Sequence, residues 1–314
     1  MPLAPQARHV ESIIDVLAEH GGIATRRQLI DRGITGMQLS VAVKLGEIGR
    51  VRRAHYATHD VDLDRRAAVR VGGRLGCRSA LAAMGLWSGL SGGCVHVSLP
   101  HNAARLRTRS PLSVTDRPGA DEVVMPDRFG VPVRLHWCDG RFGHRRDDES
   151  AWRVDVRTAL AEMAGCADRR DIRAAFESAV HAGSLTLDEA QLLVDRASDP
   201  EAEPMHLSAR SGSGAESHLV EELIEQGLAF EQQVDLEGVG RVDFLVDGCL
   251  VVEIDGYRFH RTRRQFEFDR QRDAAALRLG LPTLRIPARV LLRHPDRASA
   301  MLRDAIAGVR ALRA

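Results

Sequence analysis

The stretch RVDFLVDGCLVVEIDGYRFH, from Arg241 to His260, places three carboxylates, Asp243, Glu253 and Asp255, in one candidate hairpin. Hard cations such as Mg2+ or Mn2+ take oxygen ligands. A metal held by several carboxylates can generate hydroxide and stabilise the charge that develops during phosphodiester hydrolysis. Left without counter-charge, the three acids would repel one another. Whether they share a face depends on the turn, because side chains alternate along a strand and a one-residue slip moves them all to the other face. A two-residue Asp247-Gly248 turn pairs Asp243 with Val252 and separates the acids. A three-residue loop, Val246-Asp247-Gly248, pairs Asp243 with Val251 and gives Gly248 the left-handed position such loops use. That register leaves Val242, Phe244, Leu250, Val252 and Ile254 on an apolar face and the three acids on the other.

The flanking segments must position this hairpin. AESHLVEELIEQG, at 215–227, reads as a helix with the stripe Glu216, Leu219, Val220, Leu223 and Ile224. Glu216 opens the stripe, and it also forms an S-x-x-E capping box with Ser213. Downstream, Thr262 can cap a helix running to Leu279 and closed by Gly280, with Phe266, Ala274 and Leu277 toward the core. Arg270 and Arg272 read as its solvated side. Segments 288–292 and 295–312 read as closing helices.

VDF at 242–244, VVEIDG at 251–256, His260, FEFDRQRDAAAL from Phe266 to Leu277, Gly280 and TLRI at 283–286 form a specific series. Over about residues 211–290 it resembles the endonuclease-like domain related to very-short-patch repair (Vsr) nucleases, within the PD-(D/E)XK superfamily. The resemblance implies a restriction-endonuclease-like α/β/α domain over 215–314 that cleaves DNA with Mg2+ or Mn2+. It makes Asp243 the principal metal ligand, Glu253 the second and Glu216 a contributor from the first helix. It puts His260 at the position of a catalytic histidine, with Asp269 orienting its imidazole. The usual lysine, two positions after the glutamate, is replaced by Asp255, read as an auxiliary ligand. His260 or Arg258 would then supply the missing charge, or the domain binds without cutting.

Charge is divided along the chain's end. Residues 201–255 hold 13 acids and 2 arginines, whereas 256–314 hold 14 arginines and 5 acids. A basic rim of Arg258, Arg261, Arg263 and Arg264 beside an acidic site suits phosphate-backbone binding. The same arginines would also neutralise the acidic half, since the whole chain carries only +1.

At the other end, residues 1–60 suggest three helices, 10–19, 25–32 and 35–45, followed by a basic hairpin, an order that resembles a winged helix-turn-helix. Ile13, Ile14, Val16 and Leu17 supply the first helix's apolar side. Gln38, Ser40 and Lys44 are candidate groove contacts, and Arg50, Arg52, Arg53, His55 and Tyr56 a candidate wing. CRSALAAMGLW at 77–87, VHVSLP at 95–100, VPVRLHW at 131–137 and VRTALAEMAG at 156–165 resemble AbiEi-like antitoxins of type IV toxin–antitoxin systems. That resemblance implies an α+β middle domain over 61–198 and a transcriptional role, with a cognate toxin as a further partner. Helices at 172–181 and 185–194 read as packing on this middle domain. Residues 199–214, rich in Pro, Ser and Gly, read as the linker.

The length of 314 residues calls for several domains, hence an α/β multidomain chain. Five cysteines, Cys77, Cys94, Cys138, Cys166 and Cys249, are scattered without C-x-x-C spacing, and His96, His101, His136 and His144 lack metal-ligand spacing. Neither a disulfide framework nor zinc is expected from them. No apolar run resembles a signal peptide or a bilayer span, so a cytoplasmic protein without membrane contact is expected. The function implied is a metal-dependent DNA endonuclease in repair or defence; the alternative is a non-catalytic transcriptional regulator or antitoxin with a degenerate nuclease domain.

Overall fold

A computed structural model describes residues 13–90, 93–103, 106–108, 124–127, 129–138, 150–198, 201–256 and 263–313, without the side chains at 124–126, 138, 263–266 and 269. The chain is mixed α/β with three small sheets. It gathers into two compact units, Met1–Ala167 with Arg196–Pro200, and Asp168–Asp195 with Glu201–Ala314.

The first unit begins with helix α1, described over 13–19, then β1 (Ile23–Thr25), α2 (Arg26–Asp31), α3 (Gly36–Lys44), β2 (Gly49–Arg52) and β3 (His55–Ala57). Gly21 and Gly22 end α1 at positive φ, the amide of Gly22 returning to the Leu17 carbonyl at 2.7 Å. Thr25 and Thr35 cap α2 and α3, each in a capping box closed by the glutamine three residues on. Ile13, Leu17, Leu29, Leu39 and Ile48 fill the core between them, each worth about 1.5–3 kcal/mol of burial. Ile14, expected on the buried side of α1, is exposed. The strands pair in the order β1-β3-β2.

This unit continues through α4 (Leu63–Val71), β4 (Arg74–Leu75), α5 (Cys77–Ala83), β5 (Val95–Pro100), β6 (Val124–Pro126), β7 (Pro132–Cys138) and α6 (Val156–Ala164), with a second sheet ordered β4-β5-β7-β6. Strands β5 and β7 run parallel, Ser98 opposite His136. Contacts cross the boundary expected at residue 60: the Trp152 indole donates to the His20 carbonyl at 2.8 Å, and the Arg65 guanidinium lies 4.1 Å from the Trp152 ring centre. Such a cation–π contact contributes about 0.5–2 kcal/mol.

The second unit contains α7 (Arg169–His181), most of α8 (Leu187–Ala197), α9 (Gly214–Glu225), β8 (Phe230–Leu236), β9 (Gly240–Val246), β10 (Leu250–Asp255), α10 (Arg263–Arg278), β11 (Thr283–Pro287), α11 (Ala288–Arg293) and α12 (Pro295–Arg313). Its sheet is ordered β11-β10-β9-β8; β8, β9 and β10 form an antiparallel meander and β11 joins β10 in parallel. One sheet face, with Phe244, Val246, Leu250, Val252 and Ile286, packs on Leu219 and Leu223 of α9, Leu291 of α11, and Leu302 and Ile306 of α12. On the other, Val242 and Val251 meet Ala275 and Ala276 of α10.

Several expectations are corrected here. Val242 belongs to the α10 cluster rather than sharing the apolar face with Phe244. Val251, which shares a face with Asp243 and Glu253, also packs against α10, so the acid-bearing face is partly covered. On α10 the small pair Ala275 and Ala276 approaches the sheet, while Ala274 and Leu277 are exposed; the Phe266 side chain lies outside the described residues. Ile224 of α9 is exposed, whereas Ser217, His218, Glu221 and Glu222 are buried. Their cover is α7, so the helical pair expected on the middle segment instead joins the second unit.

The α7–α9 contact is ionic. Arg173, 1% exposed, donates from Nε to Glu221 at 2.6 Å and from Nη1 to Glu177 at 3.2 Å. Arg169 also reaches Glu221, and Arg170 reaches Glu222 at 2.7 Å. Each partner offsets the desolvation of the others, and removing one leaves a buried charge unpaired.

Candidate functional site

The β9–β10 loop has three residues, as expected, but they are Asp247, Gly248 and Cys249: Val246 pairs with Leu250 and Phe244 with Val252. Asp247 and Gly248 take φ of 50° and 60°, and the Cys249 amide closes the turn on the Val246 carbonyl at 3.0 Å. The register is thus two residues from the one expected, with Asp243 opposite Glu253 rather than Val251. A slip of two preserves parity, so both acids still share a face.

Across the other edge of β9, Gln232 pairs with Phe244 and Val234 with Val242, which brings Gln233 opposite Asp243. Gln233 has φ of 54°, and there the ladder is interrupted. Gln233, Asp243 and Glu253 therefore form one row across β8, β9 and β10. Asp243 is locked into the row, its Oδ2 accepting the Ile254 amide at 2.9 Å.

Glu216 reaches the same place from α9. Its Oε2 lies 3.0 Å from Gln233 Nε2, which is also 3.5 Å from Asp243 Oδ1. Ser213 caps α9 as expected, the Glu216 amide donating to Ser213 Oγ at 3.3 Å, but the reciprocal half of the box is replaced: the Glu216 carboxylate accepts from the Ser213 hydroxyl at 3.0 Å (Oε1) and from the Gly212 amide at 2.9 Å (Oε2) rather than from the Ser213 amide. The two readings of Glu216 are compatible, since one carboxylate does both. Burial, with Asp243 adding to it, lifts the Glu216 carboxyl above the ordinary glutamate range against the pull of these donors.

Glu253 is held differently. Arg272 from α10 bridges it at 3.0 Å and Arg285 from β11 at 3.2 Å, and Arg285 also holds Asp273 at 2.7 Å. Burial raises the Glu253 carboxyl despite the two guanidinium groups. Arg272, expected on a solvated face, points inward and also donates to the Val239 carbonyl at 3.0 Å. Asp255 ends β10 opposite Pro287. Arg258, His260 and Arg261 lie outside the described residues, as do the side chains of Arg263, Arg264 and Asp269.

In the first unit, Lys44, Arg50 and Arg53 are exposed and Arg52 is half-buried. Gln38 spends its amide oxygen on the α3 cap, accepting from the Thr35 amide at 2.7 Å. Tyr56, expected in the wing, is buried in the core beside Leu39 and Ile48. Arg50 lines a cleft of about 320 Å³ with Arg66, Arg70, Arg107 and Phe129. Burial, reinforced by Arg107, lowers the Arg52 guanidinium below its usual range. Within the cleft Arg70 is paired with buried Asp127 at 2.8 Å and Arg66 donates to the Val61 carbonyl at 3.0 Å.

Among the described residues, the group whose metal-ligating atoms all lie within 4.8 Å of one another is not the acidic one; it is Cys77, His96, His136 and Cys166. This corrects the expectation that the scattered cysteines and histidines hold no metal-ligand arrangement. Local spacing could not disclose it, because the four positions sit 19, 40 and 30 residues apart and on separate elements.

No protein-family model matches this chain, and no curated protein matches it either.

Proposed function

We propose that this chain binds DNA and that its second unit hydrolyses phosphodiester bonds with a divalent cation held by Asp243, Glu216 and Glu253. The observation that carries this reading is the convergence of the three carboxylates on the Gln233–Asp243–Glu253 row from three different elements. Support also comes from the order of the elements. A helix, a three-stranded meander, a second helix and a parallel fourth strand, layered α/β/α, are what the resemblance to Vsr-like nucleases leads one to expect. In the first unit, three helices with a three-stranded sheet and an arginine-lined cleft support a winged-helix reading and a DNA partner.

The donor set fits Mg2+ or Mn2+ in kind, being carboxylate oxygens to which a turned Gln233 amide would add another. Such a cation, when bound, would lower the pKa of a water and neutralise charge on the phosphate. The chain's own groups do the rest. Asp243 is fixed by the Ile254 amide, Glu216 by the Gly212 amide, and Arg272 and Arg285 bring positive charge to a site whose usual lysine position is Asp255. Incubating the full chain with supercoiled plasmid, mismatched duplex and single-stranded DNA over a Mg2+ and Mn2+ series tests the proposal. Metal-dependent nicking abolished by Asp243→Asn is the expected result. Equal nicking by the variant would sink it.

A second reading is favoured by the pairing of Glu253. Glu253 already has two guanidinium partners, which satisfy the acid without a cation. A non-catalytic transcriptional regulator, or an antitoxin paired with a separate toxin, would bind DNA through the first unit and cut nothing under any of these conditions.

A further inference from the structure

Cys77 is the first residue of α5, and it stands there at φ of 44°, in the left-handed region that residues other than glycine seldom adopt. The neighbourhood enforces this. A Cβ on Gly76 would come within 2.3 Å of Glu162 Oε2 and 2.7 Å of Ser98 Cβ, so the turn is pressed against β5 and α6. The Cys77 amide donates to the same Glu162 oxygen at 2.8 Å. Backbone strain persists where surrounding contacts over-determine it, commonly at ligand sites.

The thiol so positioned meets three other metal-ligating groups. His96 and His136 project from adjacent parallel strands on one face of the sheet, His96 Nδ1 lying 2.9 Å from His136 Nε2. Their rings stack with centroids 5.1 Å apart and planes 18° apart. Cys166, just past the end of α6, lies 3.8 Å through Sγ from His96 Nδ1. A tetrahedral zinc ion with bonds of about 2.0–2.1 Å to nitrogen and about 2.3 Å to sulfur needs ligand atoms roughly 3.3–3.8 Å apart. The measured separations, from 2.9 Å to within 4.8 Å, span that range.

We propose that Cys77, His96, His136 and Cys166 form a structural zinc site. Two soft thiolates with two imidazoles select Zn2+ over the hard cations suited to carboxylates. Two thiolates would balance the ion's charge. Cys77, His96 and His136 are all buried, which suits a closed four-ligand site without an open position for substrate. The surroundings are also in place: Arg134 Nη1 donates to Cys166 Sγ at 3.4 Å, and Glu162 anchors the Cys77 amide. The ion would clamp the start of α5 and the end of α6 to β5 and β7. This site is separate from the acidic row and stands or falls independently of the nuclease reading.

The test is elemental analysis of the full chain, purified without chelator or immobilised-metal chromatography, beside Cys166→Ser, His96→Gln and Cys249→Ser. About one zinc per chain is expected in the parent and in Cys249→Ser, and near none in the other two. If a variant fails to fold, the parent answers alone. It should release its zinc to a thiol-reactive mercurial, and the apo form should take up Co2+ with the visible absorption of tetrahedral thiolate coordination. Zinc absent from the parent with no Co2+ uptake, iron in its place, or a Cys77–Cys166 disulfide found by peptide mapping would each overturn the proposal.

Discussion

Asp243 Oδ2 accepts the backbone amide of Ile254 at 2.9 Å, so the central acid of the row also closes the sheet where the β9–β10 ladder stops. Structure and chemistry can be separated at this residue. Asp243→Asn keeps an acceptor for Ile254 and should unfold near the parent's denaturant midpoint. Asp243→Ala strands the amide and should cost about 1–3 kcal/mol. Nicking and Mn2+ binding should be lost in both, as read by plasmid assay and calorimetry.

The arginine pair on Glu253 makes the two functional readings distinguishable. If the pair competes with the cation, Arg272→Ala should tighten Mn2+ binding in calorimetric titration, and a weakening would mean that Arg272 assists the site. The same variant should lose stability, because it also gives up the bond to the Val239 carbonyl.

Glu216 and Glu253 are both raised above the ordinary glutamate range, burial being the main cause in each. A carboxyl raised in the folded state takes up protons on folding. Its contribution to stability is therefore present below the unfolded pKa and is lost as pH rises through the folded one. Metal-free protein should accordingly gain stability as pH falls from neutral toward that window. Mn2+ affinity, which needs both groups ionised, should weaken over the same interval. Thermal melts and titrations from pH 7.5 down to about 5 should move in opposite directions, and the Glu216→Gln, Glu253→Gln double variant should flatten both.

Exposed Arg50 and Arg53 offer a test of the proposed nucleic-acid surface. Replacing either with alanine should weaken duplex binding across sequences and reduce the slope of log affinity against log salt by about 1. Tyr56→Phe, altering a residue buried in the core, should leave that slope unchanged.

Arg173→Ala should be severe, costing about 3–5 kcal/mol, because it leaves Glu177 and Glu221 buried without their cation. Urea unfolding monitored by circular dichroism would register it.

The sequence disclosed what depends on periodicity. The shared face of Asp243 and Glu253, the Ser213 cap and the closing helices are all local patterns, and all are present. The hairpin register was missed because Asp247 as well as Gly248 accepts a positive φ, which shifts the loop to 247–249. Gln233 was missed because its place in the row depends on an interruption of β8 that no residue type signals. Arg272 reads as surface on a helical wheel; only β11, folding alongside β10, supplies its buried surroundings. The thiol–imidazole group depends on four elements meeting, and no spacing rule spans that.

The ionic seam between α7 and α9 bears on how this chain could be dissected or borrowed. A fragment beginning at residue 201 would keep Glu221 and Glu222 on α9 but omit Arg169, Arg170 and Arg173, which lie against them. Such a fragment would present an uncompensated acidic helix face over its own core. A gene fusion carrying the second unit elsewhere would therefore need its junction ahead of Asp168. That junction falls well before the Pro- and Ser-rich stretch where composition alone would put the scissors.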